Sequence, residues 1–276
     1  MDRIRLIASD MDATLLDEQS QLPADFEETI HALAELGIRF APASGRPLYT
    51  LEAMFPTLQD ELVFIGDNGG AIRWKGQNLF TSEMSPEGWR ALNRLTREQG
   101  DIAVLCGLES AYVERPFAVH DAVLRHFYTK IEYVDRLEDV AAPADKFTIY
   151  LPQHNAQQAY DTVYASQRSI YSVAVAGECW VDIMNSGVHK GAALQTLGQL
   201  WGLPSESIMA FGDTYNDAEM LQTVRYGFLM ENGSEPLRQK VPFLAPSHRE
   251  AGVMQVLHRV LAQNGCVCPE DFVPAH

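Results

Sequence analysis

The sequence predicts an α/β protein, with a Rossmann-like parallel-sheet core interrupted by an inserted α+β block. Three observations carry that expectation. Short apolar runs alternate with helix-period stretches in the N-terminal part, the order of a parallel sheet covered on both faces. The same alternation resumes near Lys190 after a block of different order. The apolar runs of the two outer parts stop at polar or glycine-bearing sequence.

The first run, from Ile4, reads as a buried strand and ends on Asp10 and Asp12. Their i, i+2 spacing in a strand sends both side chains the same way. Two acids at one strand mouth disfavour each other's charge. The arrangement becomes favourable if a cation sits between them, or if one carboxyl must keep a proton to act as an acid.

Next, Leu22, Phe26, Ile30, Leu33 and Leu36 recur at helical spacing, with Pro23 near the start and Gly37 past the end. Ile38 to Ala43 is a second strand and stops at Ser44-Gly45-Arg46-Pro47. A short helix through Leu48, Leu51 and Phe55 leads to a third strand, Leu62 to Ile65, which stops at Gly66-Asp67-Asn68-Gly69-Gly70. Ala71 to Trp74 and Leu79 to Thr81 flank Lys75-Gly76 as a hairpin.

The order then changes. Ser85 is an N-cap with Pro86 at the first helical position, and the helix to Arg97 buries Trp89, Leu92 and Leu95. Strands at Ile102 to Leu105, Phe147 to Leu151, Ile170 to Ala176 and Trp180 to Met184 mix with helices near Val119 to Tyr128 and Ala156 to Ala165. From Lys190 a helix carries Leu194, Leu197 and Trp201; strands Ile208 to Phe211, Tyr226 to Met230 and Phe243 to Ala245 follow, and Val253 to Leu261 is a last helix. The expected division is a core from 1–83 and 187–276, with 84–186 inserted as a cap of ordinary domain size.

Composition narrows the partners. A net charge of −16, from 37 acidic against 21 basic residues, excludes the basic stripe of a nucleic-acid binder and gives no steering to anionic lipid. No stretch reaches the roughly 18 apolar residues of a spanning helix, and the N-terminus does not read as a signal peptide. Four cysteines do not suggest a disulfide framework, so a reducing cytoplasm is the expected compartment. Cys106 and Cys179 read as buried thiols and Cys266-Val267-Cys268 as an exposed tail.

In open α/β sheets, ligands bind at the carboxyl ends of the strands. If the apolar strands are parallel neighbours, Asp10, Asp12, Asp213 and Asp217 form an acidic cup suited to Mg²⁺. Ser44, its loop amides and Lys190 supply donors for an anion. Metal, anion donors and an aspartate together are the equipment of phosphoryl transfer. Taken singly, Ser44 is equally a helix N-cap, Arg46 a structural ion-pair residue, Lys190 a solvated helix start and Asn68 a turn residue. Asp182 and His189 stand as weaker substrate-contact candidates.

At this point the chain resembles a known family. Asp10-Met11-Asp12-Ala13-Thr14-Leu15-Leu16, Ser44-Gly45-Arg46, Lys190-Gly191 and Gly212-Asp213-Thr214-Tyr215-Asn216-Asp217 are similar to the four motifs of the haloacid dehalogenase superfamily. Their order, the inserted block and Asn68-Gly69-Gly70 resemble its Cof-type sugar-phosphatase branch. The resemblance implies a Mg²⁺-dependent phosphatase of small phosphorylated metabolites, working through an aspartyl-phosphate. It implies Asp10 as nucleophile and metal ligand, and Asp12 as general acid/base that also binds the metal through its carbonyl. Lys190 would clamp the phosphoryl group, Ser44, Gly45, Arg46, Asn68 and Asn216 would line its site, and Asp213 would complete the metal site with Asp217 in support.

Two features depart from the pattern. Ala13 replaces the usual glycine, and the loop Ser247 to Val253 lacks the family's common asparagine there. A phosphosugar mutase, or a catalytically idle metabolite-binding protein, is the alternative on the same fold.

Overall fold

The computed structural model describes residues 1–276. Strand β1 (Leu6–Ser9) is buried at every position, as a strand covered on both faces must be. The chain leaves it at Asp10 through an irregular turn, then forms α1 (Phe26–Glu35), β2 (Arg39–Pro42), α2 (Leu48–Ala53) and β3 (Val63–Gly66). The antiparallel hairpin β4 (Ala71–Trp74) and β5 (Gln77–Thr81) follows. Helix α3 (Pro86–Gln99) opens on the Ser85 side chain, which accepts from the Gly88 N–H, and closes on Gly100 at φ +76°.

The middle block contains β6 (Ile102–Gly107), β7 (Ala111–Glu114), α4 (Asp121–Phe127), β8 (Ile131–Val134), β9 (Ala144–Tyr150), α5 (Ala156–Thr162), β10 (Tyr171–Val175) and β11 (Trp180–Asn185). The last part runs α6 (Lys190–Trp201), β12 (Ile208–Gly212), α7 (Ala218–Thr223), β13 (Tyr226–Met230), α8 (Glu235–Arg238), β14 (Phe243–Ala245) and α9 (Gly252–Ala262).

The core sheet has the order β14-β13-β12-β1-β2, all parallel, with Val273–Pro274 antiparallel on the outer edge of β14. A single parallel bridge, Ala43 to Ile65, attaches β3 beyond β2. Side chains alternate across the sheet. Ile7, Phe40, Phe211 and Phe228 therefore join one apolar cluster with Ile30, Leu33, Val253 and Leu257 of α1 and α9. Leu6, Ala8 and Ala210 join the other with Leu194, Leu197, Met220 and Leu221 of α6 and α7. Both faces are covered, as the alternating order required.

From β1 the chain winds outward through β2 to β3; from β12 it winds the opposite way through β13 to β14. The reversal falls between β1 and β12, so a crevice opens at their carboxyl ends. The second sheet has the order β10-β11-β9-β6-β7-β8, antiparallel except between β7 and β8.

Several expectations need correction. Cys266-Val267 is no loose tail: it pairs antiparallel with Asp2–Arg3, and Val267 is fully buried. That pairing joins the two ends of the chain, which no local pattern reports. Cys106 is buried as expected, but Cys179 is only half-buried, at the turn between β10 and β11. β7 and β8 were not expected, since their four-residue runs are broken by charged or polar residues.

Candidate active site

A cavity of about 750 Å³ lies over the carboxyl ends of β1, β2, β3 and β12, with β9, β10 and β11 contributing to its other walls. Asp10, Asp12, Ser44, Gly45, Arg46, Asn68, Asp213 and Asn216 line it. Lys190 and Asp217 do not; both are fully buried, behind Asp10.

Lys190 begins α6, and its Nζ donates to Asp10 Oδ1 and to Asp217 Oδ1, the latter at 2.7 Å. Asp217 Oδ2 accepts the N–H groups of Asp213 and Thr214 at 3.1 and 3.3 Å, a capping arrangement that fixes the loop after β12. Gly212 is required there, because a Cβ would lie 2.4 Å from the Asp217 Cβ. Thr14 Oγ1 donates to Asp213 Oδ1 at 3.3 Å, tying the turn after β1 to the same loop.

Carboxylate oxygens of Asp10, Asp213 and Asp217 lie within 4.8 Å of one another. Burial pushes the Asp10 carboxyl up to about 8 against the opposing pull of Lys190, with Asp217 and Asp213 adding to the rise. Burial and Asp217 push Asp213 up to about 6. Burial alone would lower the Lys190 ammonium; the flanking Asp10 and Asp217 outweigh it and raise the pKa. Three acids cluster beside one ammonium that pairs with two of them, an excess of negative charge that a cation or protons must balance.

Asp12 behaves differently. Its side chain is 58% exposed and accepts from Arg46 Nη2 at 2.9 and 3.1 Å. The strand ends at Ser9, and Asp12 is followed by Ala13 at φ +58°, so the alternation expected of a strand does not govern this pair. Both aspartates face one cavity, but each has its own cationic partner.

Ser44 is buried, and its Oγ accepts the Arg46 N–H at 3.1 Å. The Asn68 N–H donates to the Ser44 carbonyl at 2.9 Å, joining the loops after β2 and β3. Asn68 sits at φ +54°, a conformation its short polar side chain tolerates. Its Nδ2 donates to Asp182 Oδ2 at 3.3 Å and its Oδ1 accepts from Asn216 Nδ2 at 3.4 Å. Asp182 therefore does reach the cavity, whereas His189 does not: its Nδ1 caps α6 by accepting the Ala192 N–H at 3.1 Å.

Of the second sheet's share, sequence reasoning named only Asp182 and missed the other residues. Phe127, Tyr128 and Trp180 form an aromatic wall, with Phe127 and Trp180 ring centroids 5.0 Å apart. Lys146 and Thr148 are buried on β9 and also line the cavity. Thr148 Oγ1 donates to Asp182 Oδ1 at 2.8 Å. The one available signal was Asp145-Lys146 at the head of an apolar strand, a charged pair where burial is otherwise complete. Asn232 was also missed. Its Nδ2 donates to the Ala13 carbonyl at 2.8 Å while its Oδ1 accepts the His248 N–H at 3.0 Å, so the atypical loop from Ser247 still buttresses the Asp12–Ala13 turn.

Comparisons with known proteins agree with this geometry. Residues 7–257 match the haloacid dehalogenase-like hydrolase family. The chain is 31% identical over 262 residues to the 5-amino-6-(5-phospho-D-ribitylamino)uracil phosphatase YbjI of Escherichia coli K12, covering 94% of this chain and 96% of that one. It is 30% identical over 249 residues to an HMP-PP phosphatase of Cronobacter sakazakii, covering 87% and 89%. Among solved structures, SMU.1108c from Streptococcus mutans UA159 superposes with a TM-score of 0.83 at 28% identity, covering 94% and 99%. The chain belongs to the haloacid dehalogenase-like hydrolase family, as a phosphatase of its Cof-type branch.

Proposed function

We propose that the protein hydrolyses a small phosphorylated metabolite by way of an aspartyl-phosphate on Asp10, with residues 84–186 acting as a cap over a core formed by 1–83 and 187–276. The observation that carries this reading is the Asp10 carboxylate at the cavity wall, gripped from behind by the buried Lys190 and flanked by Asp213.

The residues present fit Mg²⁺. The donors are hard carboxylate oxygens, and the excess charge of Asp10, Asp213 and Asp217 over Lys190 is that of a divalent cation. Asp10, Asp213 and the Asp12 carbonyl would hold it. Asp217 has both oxygens engaged, by Lys190 and by the loop amides, so its support is indirect. The ion would supply neutralisation of phosphoryl charge near the nucleophile.

The chain's own groups do the rest. Asp10 attacks phosphorus, and the P–O bond to the leaving alcohol breaks as Asp12 hands that oxygen its proton. Asp12, now a carboxylate, takes a proton from water. The water oxygen attacks phosphorus, phosphate departs and the Asp10 carboxylate is restored. Lys190 holds its charge throughout, and the Ser44 hydroxyl and loop amides orient the phosphoryl oxygens. Gly45, Arg46, Asn68 and Asn216 shape the rest of that pocket, Arg46 by holding Asp12.

For the leaving group, the wall of Phe127, Tyr128 and Trp180 supports a planar ring packed against aromatic side chains. The relative from Escherichia coli acts, by name, on the phosphate ester of a uracil derivative, which agrees. A cavity of about 750 Å³ holds a metabolite and excludes duplex nucleic acid. The test is phosphate release from a panel of phosphorylated metabolites, with Mg²⁺ and with chelator. Activity is expected to vanish on chelation and in Asp10→Asn; undiminished turnover in Asp10→Asn discards the mechanism.

A further inference from the structure

We propose that Lys146 is a positioning residue: it sets the Ser44 hydroxyl for the phosphoryl group while the second sheet sits on the core. The proposal rests on the phosphatase reading above and adds to it a residue from outside the four motifs.

Lys146 lies on β9 and is 2% exposed. Its Nζ donates to the Gly45 carbonyl at 2.6 Å and pairs with Asp67 Oδ1 at 2.9 Å and Asp182 Oδ2 at 3.5 Å. An ammonium has three N–H groups and no acceptor. One hydrogen bond goes to the Gly45 carbonyl, and the two carboxylates hold the ammonium by charge, so Lys146 is anchored within the protein although it lines the cavity. Two of the partners belong to core loops, those after β2 and β3. The third is on β11 of its own sheet.

The Gly45 carbonyl shares a rigid peptide plane with the Arg46 N–H. That N–H donates to Ser44 Oγ at 3.1 Å. The plane is thus held at both ends, by the Lys146 ammonium on its oxygen and the Ser44 hydroxyl on its nitrogen. A charged donor on the carbonyl also strengthens the amide at the other end as a donor. Asn68 confines the plane from the side, since a Cβ on Gly45 would lie 3.3 Å from its side chain. With one lone pair of Ser44 Oγ occupied, its proton remains available toward the cavity that Ser44 lines. Lifting the second sheet removes Nζ from Gly45 and leaves the plane pinned at one end only. Closure and the phosphate contact are therefore linked through a single peptide.

A double-mutant cycle of Lys146→Met and Ser44→Ala, with p-nitrophenyl phosphate in Mg²⁺, tests this. Lys146→Met is expected to lower kcat about tenfold with KM changed less than about threefold, the pattern of a lost transition-state contact. Added to Ser44→Ala, it is expected to cost less than about a further twofold, because the group through which it acts is already gone. A double variant reduced by the product of the two single losses overturns the proposal and leaves the phosphatase reading intact. An unchanged kcat in Lys146→Met does the same. Absence of turnover in the unaltered protein overturns both. Should Lys146→Met fail to fold, the charge-balanced Asp67→Asn/Lys146→Met pair carries the same cycle with the same expected outcomes.

Discussion

Arg46 closes on Asp12: one guanidinium nitrogen reaches both oxygens of that carboxylate, at 2.9 and 3.1 Å. Two residues earlier, Asp10 is held from behind by Lys190. Neighbours in sequence are thereby separated in surroundings. In the proposed mechanism the buried acid, backed by Lys190, is the nucleophile, and the exposed acid is the group that meets the leaving group and then a water.

That separation predicts two kinetic phases in Asp12→Asn. Nitrophenolate leaves without a proton, so the first step survives, while water lacks a base for the second. Rapid mixing with p-nitrophenyl phosphate is expected to show a burst of about one equivalent of product per site, then turnover slowed about 10²-fold or more. Equal slowing of both phases contradicts the assignment of Asp12 to the second step.

The acidic cluster predicts a pH-dependent stability. Without a cation, Asp10 and Asp213 titrate near 8 and 6 rather than at the ordinary 3.8. Between about pH 4 and 8 the folded chain binds more protons at these two positions than the unfolded chain does, so their contribution to stability declines as pH rises through that window. In chelator, the melting temperature of the protein is expected to fall more steeply from about pH 5.5 to 8 than that of Asp10→Asn, which lacks the larger shift. Mg²⁺ competes with those protons, so its stabilisation is expected to be greater at pH 8 than at 5.5. Parallel profiles for the two proteins in chelator argue against a destabilised Asp10 charge.

Much of this was legible in the chain. Asp10, Ser44, Lys190 and Asp213 each sit beside a sharp pattern change, where an apolar run or a helix meets polar sequence, so the sheet edge could be assembled from local signals. Lys146, Thr148 and Trp180 could not be read this way. They reach the cavity because a mostly antiparallel sheet from the middle of the chain contributes walls to it, a long-range relation with no periodicity of its own. The Asp10–Asp12 geometry was misread for a related reason: strand alternation was extended past Ser9, where the backbone had already turned.

The aromatic wall predicts selectivity. Phe127 is half-buried at the cavity, against Trp180. Phe127→Ala is expected to raise KM about fivefold or more for a phosphate ester carrying a planar ring, from the loss of stacking of roughly 1 kcal/mol, with little change for a short alkyl phosphate. Equal losses for both esters would remove the wall from the account of specificity.

Ala13 gives the last test, one of backbone strain. It sits at φ +58° with its carbonyl bound by Asn232, at a position where the conformation costs an L-residue about 1 kcal/mol and glycine far less. Glycine loses more freedom on folding, which offsets part of the gain. Ala13→Gly is therefore expected to raise the melting temperature by about 1 °C, and Ala13→Val, with a branched Cβ in the same conformation, to lower it by more than that. Thermal melts of the three proteins in chelator separate strain from metal binding. A valine variant as stable as the natural alanine would mean that the turn relaxes in solution and that Ala13 carries no strain there.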